Sequence, residues 1–232
     1  LGCIKEGIGI VLDGIAGTIN DKQRKFLDIA KRNVDRLAAL INDVLDFQRL
    51  EAGKMRLNMQ EGSISEVVTE AYRTMVSSAR AKGIDFHLEL EDNLPTARFD
   101  RDKIIQVLIN LISNAIKFTP ERGQIRIGAR CHDEELVVQV SDTGMGIPKE
   151  ALGKIFERFY RVHRPGKEVP GTGLGLAIVQ KIVTKHGGRI DVESELDKGT
   201  TITVFLPIVS KCVADAPARE IDETVEKTLV RD

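Results

Sequence analysis

Asp21 to about Ala52 runs without a glycine or proline, and Phe26, Ala30, Asn33, Leu37, Leu40, Val44 and Phe47 follow one another in alternating steps of four and three. That spacing is the seam of a long helix packed against other helices. A second apolar row, Leu27, Val34 and Ile41, lies beside the first. One helix with two adjacent apolar rows needs more than one partner surface. Upstream, Ile4, Ile8, Val11, Leu12 and Ile15 form a shorter amphipathic stretch, and Gly14, Gly17 and Asn20 supply a turn between the two. Such a hairpin is too small to bury both rows by itself. The pattern predicts a homodimer that closes a four-helix bundle; packing of one hairpin on the C-terminal domain of its own chain is the alternative.

Glu51-Ala52-Gly53-Lys54 ends the long helix, with Gly53 as a C-cap and the 47–54 region as a hinge. The chain therefore divides into a hairpin over 1–55, a second domain over 56–209 and a polar tail or linker over 210–232. In the second domain Ser63 opens a helix reaching about Lys82, with Glu66 at capping-box spacing. Ile84, Phe86, Leu88 and Leu90 then alternate with Asp85, His87 and Glu89, a half-buried strand. Asp100 opens a helix that buries Ile104, Ile105, Leu108, Ile109, Leu111, Ile112 and Ile116 and stops at Pro120. Strands over 124–130 and 135–141 flank the turn Cys131-His132-Asp133-Glu134. A helix from Gly173 to His186 and a hairpin of strands 188–194 and 200–207, turning at Asp197-Lys198-Gly199, complete the domain. The whole is α+β: a helical hairpin followed by a layered sandwich with a mixed, largely antiparallel sheet.

The 34 basic and 35 acidic residues nearly cancel, which excludes a broad basic surface for nucleic acid. Cys3, Cys131 and Cys212 are odd in number and far apart, unlike a disulfide framework or a cysteine-rich zinc site, and fit a reducing compartment. No apolar run approaches the roughly 20 residues of a membrane span, and Lys5, Glu6 and Asp13 interrupt anything resembling a secretory leader. Leu1 is not an initiator methionine, and the chain opens inside an apolar pattern, as a fragment would.

Two glycine motifs carry the chemistry: Asp142-Thr143-Gly144-Met145-Gly146 and Gly171-Thr172-Gly173-Leu174-Gly175-Leu176. The second runs into a helix, whose N-terminal N–H groups and dipole suit a phosphate. Asn110, Asn114 and Lys117 project from one face of the preceding helix. Amide oxygens are hard donors suited to Mg²⁺ beside phosphate, and a lysine opposes phosphate charge; an asparagine ladder capping a neighbouring loop is the structural alternative. Asp142 at a strand end can accept from an adenine amino group, with Gly144 and Gly146 admitting the ring, or can simply start a turn. Phe156, Phe159 and Tyr160 cluster beside Arg161, and Val162 to Pro170, bounded by glycines, reads as a lid or an ordinary surface loop.

The ordered series Gln106–Phe118, Asp142–Pro148, Ile155–Phe159 and Gly171–Leu176 resembles the N box, first glycine box, F box and second glycine box of bacterial sensor histidine kinases. The resemblance covers nearly the whole chain. It implies a dimerisation and phosphotransfer hairpin followed by an ATP-binding domain of the GHKL (Bergerat) fold. Its implied cofactors are ATP and Mg²⁺: Asn114 on the metal with Asn110 nearby, Lys117 and Arg161 on phosphates, Phe118 and Tyr160 along the nucleotide. Asp142 reads adenine with Gly144, Gly146, Ile147 and Thr200 around it, and Gly171, Thr172, Gly173, Leu174, Gly175 and Leu176 cradle phosphate. ATPases of this fold carry a glutamate where Asn110 stands, and an amide cannot act as a base for water; this favours phosphoryl transfer to a side chain.

One departure is the acceptor. The family's His-Glu-Leu-Arg-Thr-Pro-Leu-like box is missing, and His87, His132, His163 and His186 all lie outside the hairpin. Leu1 resembles the last residue of that box, which places the acceptor histidine upstream. The implied function is the catalytic part of a protein-histidine kinase in two-component signal transduction, passing phosphate on to a response-regulator receiver domain. It would be cytoplasmic, without membrane contact of its own, in a longer protein that can be anchored to the cell membrane. A nucleotide-sensing scaffold without an acceptor, and a GHKL ATPase or serine kinase, are the alternatives.

Overall fold

Asn20 and Gln23 fix where the long helix begins. The Gln23 N–H donates to Asn20 Oδ1 and the Asn20 N–H to Gln23 Oε1, both at 2.9 Å, a reciprocal cap that satisfies two otherwise unpaired donors. The computed structural model describes residues 1–51, 55–162 and 171–208. Within it, α1 (Gly2–Leu12) packs against α2 (Asp21–Glu51), and Lys5 pairs with Asp35 at 2.7 Å. Gly14 and Gly17 in the connection take positive φ, 76° and 115°, which is why the turn needs them. Ile15 lies beyond the end of α1 and is exposed.

Much of the seam faces solvent. Phe26 is 63% exposed, Leu37 47% and Val44 42%, so the second domain of the same chain does not cover them. The side chains of Leu40 and Phe47, together with Ala52, Gly53 and Lys54 of the C-cap and hinge, lie outside the described residues, as does the tail from 209 on.

The second domain is a two-layer sandwich. Its sheet has five strands in the order β2 (Asp85–Leu90), β4 (Gln124–His132), β5 (Glu135–Asp142), β7 (Gly199–Pro207), β6 (Arg189–Glu195). β2 runs parallel to β4, and the remaining neighbours are antiparallel. Ile125, Ile127, Leu136, Val138, Val140, Ile202, Val204 and Leu206 bury one face of it against α3 (Ile64–Ala81), α4 (Arg101–Phe118) and α6 (Gly175–Lys185). A short ribbon of β1 (Gln60–Ser63) and β3 (Thr96–Phe99) closes one side, and a single turn of helix, α5 (Lys149–Leu152), follows the first glycine motif.

Several expectations change. Ser63 is the N-cap of α3, but its side chain makes no capping bond. It is also the last residue of β1, paired with Thr96, so strand pairing delivers the chain into the helix. The β4–β5 turn contains only Asp133 and Glu134, at φ 47° and 63°. Cys131 and His132 belong to the strand, paired with Leu136 and Glu135, because two consecutive positive-φ residues match the twist of a tight hairpin. On α4 the fully buried stripe is Ile104, Val107, Leu108, Leu111, Ile112 and Ala115. Ile105, Ile109 and Ile116 are only partly buried at its edges. α6 starts at Gly175, after Gly173 at φ 73°, so Gly173 belongs to the turn. Likewise β7 begins at Gly199. Cys3 and Cys131 are free thiols.

His186 ties these pieces together. It caps the end of α6 and is 4% exposed. Its Nε2 accepts the Asp100 N–H at 3.0 Å and its Nδ1–H donates to Ile182 O at 2.8 Å, so the ring is neutral with its proton on Nδ1. Asp100 in turn accepts from Lys103 N at 3.1 Å and Asn58 N at 2.8 Å. Burial holds the His186 pKa below the ordinary imidazole range. A histidine depressed in the folded state stabilises fully above its unfolded pKa and loses that contribution as pH falls below it. The stability difference between wild type and His186→Gln, read from urea midpoints, should therefore shrink as pH is lowered from 7.5 to 5. A constant difference would mean that the ring is not held neutral.

Candidate nucleotide site

α4 presents Asn110, Asn114 and Lys117 half-buried along one face, toward the loop that leads into α6. Two glycines let that loop come close. A Cβ on Gly175 would sit 3.4 Å from Asn110 Oδ1, and one on Gly171 2.5 Å from Lys117 Nζ. The polar face of α4 and the N-terminus of α6 thus meet directly, with Asn114 one turn from each of the other two. Lys117 Nζ also stands 4.9 Å from the centre of the Phe118 ring.

The end of α4 is held from outside the helix. Lys82 donates through Nζ to Ile116 O at 2.6 Å and Lys117 O at 2.9 Å, and Met145 N donates to Phe118 O at 3.3 Å. Three carbonyls that the helix leaves unpaired at its end are thereby satisfied. This fixes the turn bearing Lys117 and Phe118 against the first glycine motif. Lys82 escapes a sequence reading because a lysine in the last turn of a helix ordinarily serves its own carbonyls.

Asp142 ends β5 directly opposite Thr200 of β7. Its Oδ1 accepts the Gly144 N–H at 2.8 Å. Burial raises its pKa from 3.8 to about 6, against the opposing pull of the Gly144 and Thr200 backbone N–H groups. At neutral pH it is mostly an ionised carboxylate, an acceptor without a proton. Nearby, Ser194 links Ile147 N at 2.8 Å to Thr200 Oγ1 at 2.9 Å. Ser194 reads in the sequence only as an ordinary strand residue.

The glycines of the first motif are hemmed in by protein backbone. A Cβ on Gly144 would lie 2.7 Å from Phe118 O, and one on Gly146, at φ 60°, would collide with Glu195 O. Protein backbone fills the space, so these glycines let the exit of β5 pack between α4 and the β6–β7 turn. Leu174, within the second glycine motif, points its side chain into the core. Its N–H donates to Thr172 Oγ1 at 3.1 Å and its side chain is 1% exposed, which makes it a core anchor at the root of α6. Leu176 is half-buried.

Phe159 takes φ 59° and is 67% exposed. Its N–H donates to Gly173 O at 3.0 Å, and a Cβ on Gly173 would lie 2.7 Å from Phe159 C. The segment before the proposed lid is therefore stitched to the second glycine motif. Tyr160 is half-buried and Arg161 exposed. Of the lid expected over Val162 to Pro170, all but Val162 lies outside the described residues. Among the described residues no group of three His, Cys, Asp or Glu could hold a metal ion. A cation at this site would draw on amide oxygens, water and the ligand's own phosphates, a donor set that suits Mg²⁺.

Residues 9–53 match the His Kinase A (phospho-acceptor) domain, and residues 99–210 match the family described as Histidine kinase-, DNA gyrase B-, and HSP90-like ATPase. The solved catalytic domain of histidine kinase ThkA is 34% identical, with a TM-score of 0.59, over 66% of this chain and 100% of that one. The chain belongs to the histidine kinase family. Full-length ShkA, solved in complex with AMPPNP, is 30% identical with a TM-score of 0.73, over 90% of this chain and 44% of its own. The circadian input-output histidine kinase CikA of Synechococcus elongatus is 36% identical over 82% of this chain and 26% of its length. For sensor histidine kinase WalK of Bacillus subtilis the figures are 36%, 79% and 30%. This histidine kinase chain thus spans under a third of the curated relatives it matches. It carries the ATP-binding GHKL domain, and among its described residues no helix is long and apolar enough to cross a membrane.

Proposed function

We propose that residues 56–209 bind Mg-ATP between α4, the two glycine motifs and the β6–β7 hairpin, and donate the γ-phosphoryl group to a histidine carried ahead of Leu1. The observation that carries this is the closure of Gly171 and Gly175 on Lys117 and Asn110, which brings a cation and an amide to a helix N-terminus. In this reading Lys117 and Arg161 offset phosphate charge, and the amides of Gly173 and Gly175 bind phosphate oxygens. Asn114, with Asn110 beside it, offers an amide oxygen to Mg²⁺, which would neutralise the triphosphate. Phe118 and Tyr160 flank the nucleoside, while Asp142 and Thr200 face the base. Asn110 cannot activate water, which favours transfer over hydrolysis.

The exposed seam of α2 supports a homodimer formed by residues 1–55. A relative, ThkA, 27% identical with a TM-score of 0.65, has been solved in complex with response regulator protein TrrA. A receiver-domain aspartate is accordingly the onward acceptor we propose, in the cytoplasm.

Incubating γ-labelled ATP with a version of the protein that extends upstream through a histidine tests the reading. Acid-labile label is expected. Acid-stable label would point to a serine kinase, and ATP binding without any labelling to a sensing scaffold. Asn114→Asp should weaken Mg-ATP binding at least about ten-fold by placing a second negative charge beside the triphosphate; unchanged affinity would remove Asn114 from the site.

A further inference from the structure

Ser194, near the end of β6, stands at the junction of three contacts. Its Oγ is 2.8 Å from Gly199 O, 2.9 Å from Thr200 Oγ1 and 2.8 Å from Ile147 N. A hydroxyl has one proton and two lone pairs, and these contacts use all three. The carbonyl of Gly199 has no proton to give, so the Ser194 proton goes to it. The Ile147 N–H takes one lone pair. The other can be filled only by the proton of Thr200. Thr200 therefore donates to Ser194 and has nothing but lone pairs left for any other partner.

Thr200 is the register partner of Asp142, and the Asp142 carboxylate is itself acceptor-only when ionised. The two side chains at this end of the site thus present one polarity. We propose that Ser194 is a specificity-determining positioning residue: by capturing the Thr200 proton it leaves Thr200 and Asp142 as two acceptors that, directed at the exocyclic 6 position of a purine, favour an amino group there over an oxo group. This rests on Asp142 and Thr200 facing the base. Ser194 itself touches no nucleotide, and it acts through the direction of the Thr200 hydroxyl.

Removing the Ser194 oxygen frees that hydroxyl to rotate and donate, which a 6-oxo group can accept. The test measures dissociation constants for ATP and inosine triphosphate on wild type, Ser194→Ala and Ser194→Ala/Thr200→Val. Wild type should prefer ATP. In Ser194→Ala the preference should fall roughly ten-fold, the worth of one hydrogen bond, mainly through tighter inosine triphosphate binding. The double variant should lose that gain. Equal weakening of both nucleotides in Ser194→Ala would make the serine merely structural and overturn the proposal. So would a gain that survives loss of the Thr200 hydroxyl. If Ser194→Ala does not fold, Thr200→Val alone decides: it should lose affinity for ATP with no gain for inosine triphosphate, and a gain overturns the idea. Failure of the underlying site reading looks different, since wild type would then bind both nucleotides alike.

Discussion

Replacing Gly199 by alanine is expected to lower the unfolding free energy by about 3–5 kcal/mol. Gly199 opens β7 at φ 126°, a conformation that L side chains rarely adopt. A Cβ there would collide with Asp142 O and lie 3.0 Å from Thr143 Cα. Both obstacles are backbone, so no rotamer change relieves them. The chain can escape only by opening the β5–β7 ladder beside Asp142, which should abolish nucleotide binding as well. Gly153 provides the control: it sits at φ −69° with nothing within 4 Å of a Cβ. Gly153→Ala should be neutral or stabilise by a few tenths of a kcal/mol. Urea unfolding of the two variants side by side makes the comparison, and equal midpoints would show that Gly199 is not needed for its backbone.

The contrast between these glycines explains what the sequence could and could not tell. A glycine shows that a side chain is unwelcome, but not whether ligand or protein excludes it. At Gly171 and Gly175 the neighbours are Lys117 and Asn110, polar groups that the helical spacing had already placed on one face. At Gly144 and Gly146 the neighbours are carbonyls from α4 and the β6–β7 turn, which no local pattern announces. Long periodic elements were legible for the same reason that the seam of α2 was: each successive turn repeats the apolar signal. Gln60-Glu61-Gly62-Ser63 has no alternation to read, and its strand exists only because Thr96–Phe99 pairs with it. Lys82 and Ser194 were hidden by distance. Lys82 reaches carbonyls at Ile116 and Lys117, and Ser194 joins Ile147 to Thr200; composition records neither partner. The order of motifs, by contrast, survives any uncertainty over single residues.

Asp142→Asn should separate function from stability with opposite signs. Loss of the charge is expected to weaken ATP binding about 10- to 100-fold, the range for a charge-assisted hydrogen bond to a desolvated donor. The same change should stabilise the protein at pH 7–8 by on the order of 2–3 kcal/mol. The reason lies in the raised pKa, from 3.8 to about 6. Between those values the folded state holds a proton that the unfolded chain has released. The stability contributed by Asp142 is therefore fully present below pH 3.8 and lost as pH rises through about 6. Asparagine never ionises, and its Oδ1 can still accept the Gly144 N–H. The stability advantage of the variant should accordingly vanish near pH 4 and reach its plateau above pH 7. His186 titrates with the opposite sign, but it does so in both proteins and cancels in the difference. ATP affinity of the wild type should fall as pH drops below about 6, because a protonated carboxyl loses the charge that favours the amino group. A variant that is less stable at pH 8 and binds ATP as before would return Asp142 to the role of a turn residue. A variant more stable and blind to ATP would mean that the desolvation cost of this carboxylate is retained for the nucleotide it faces.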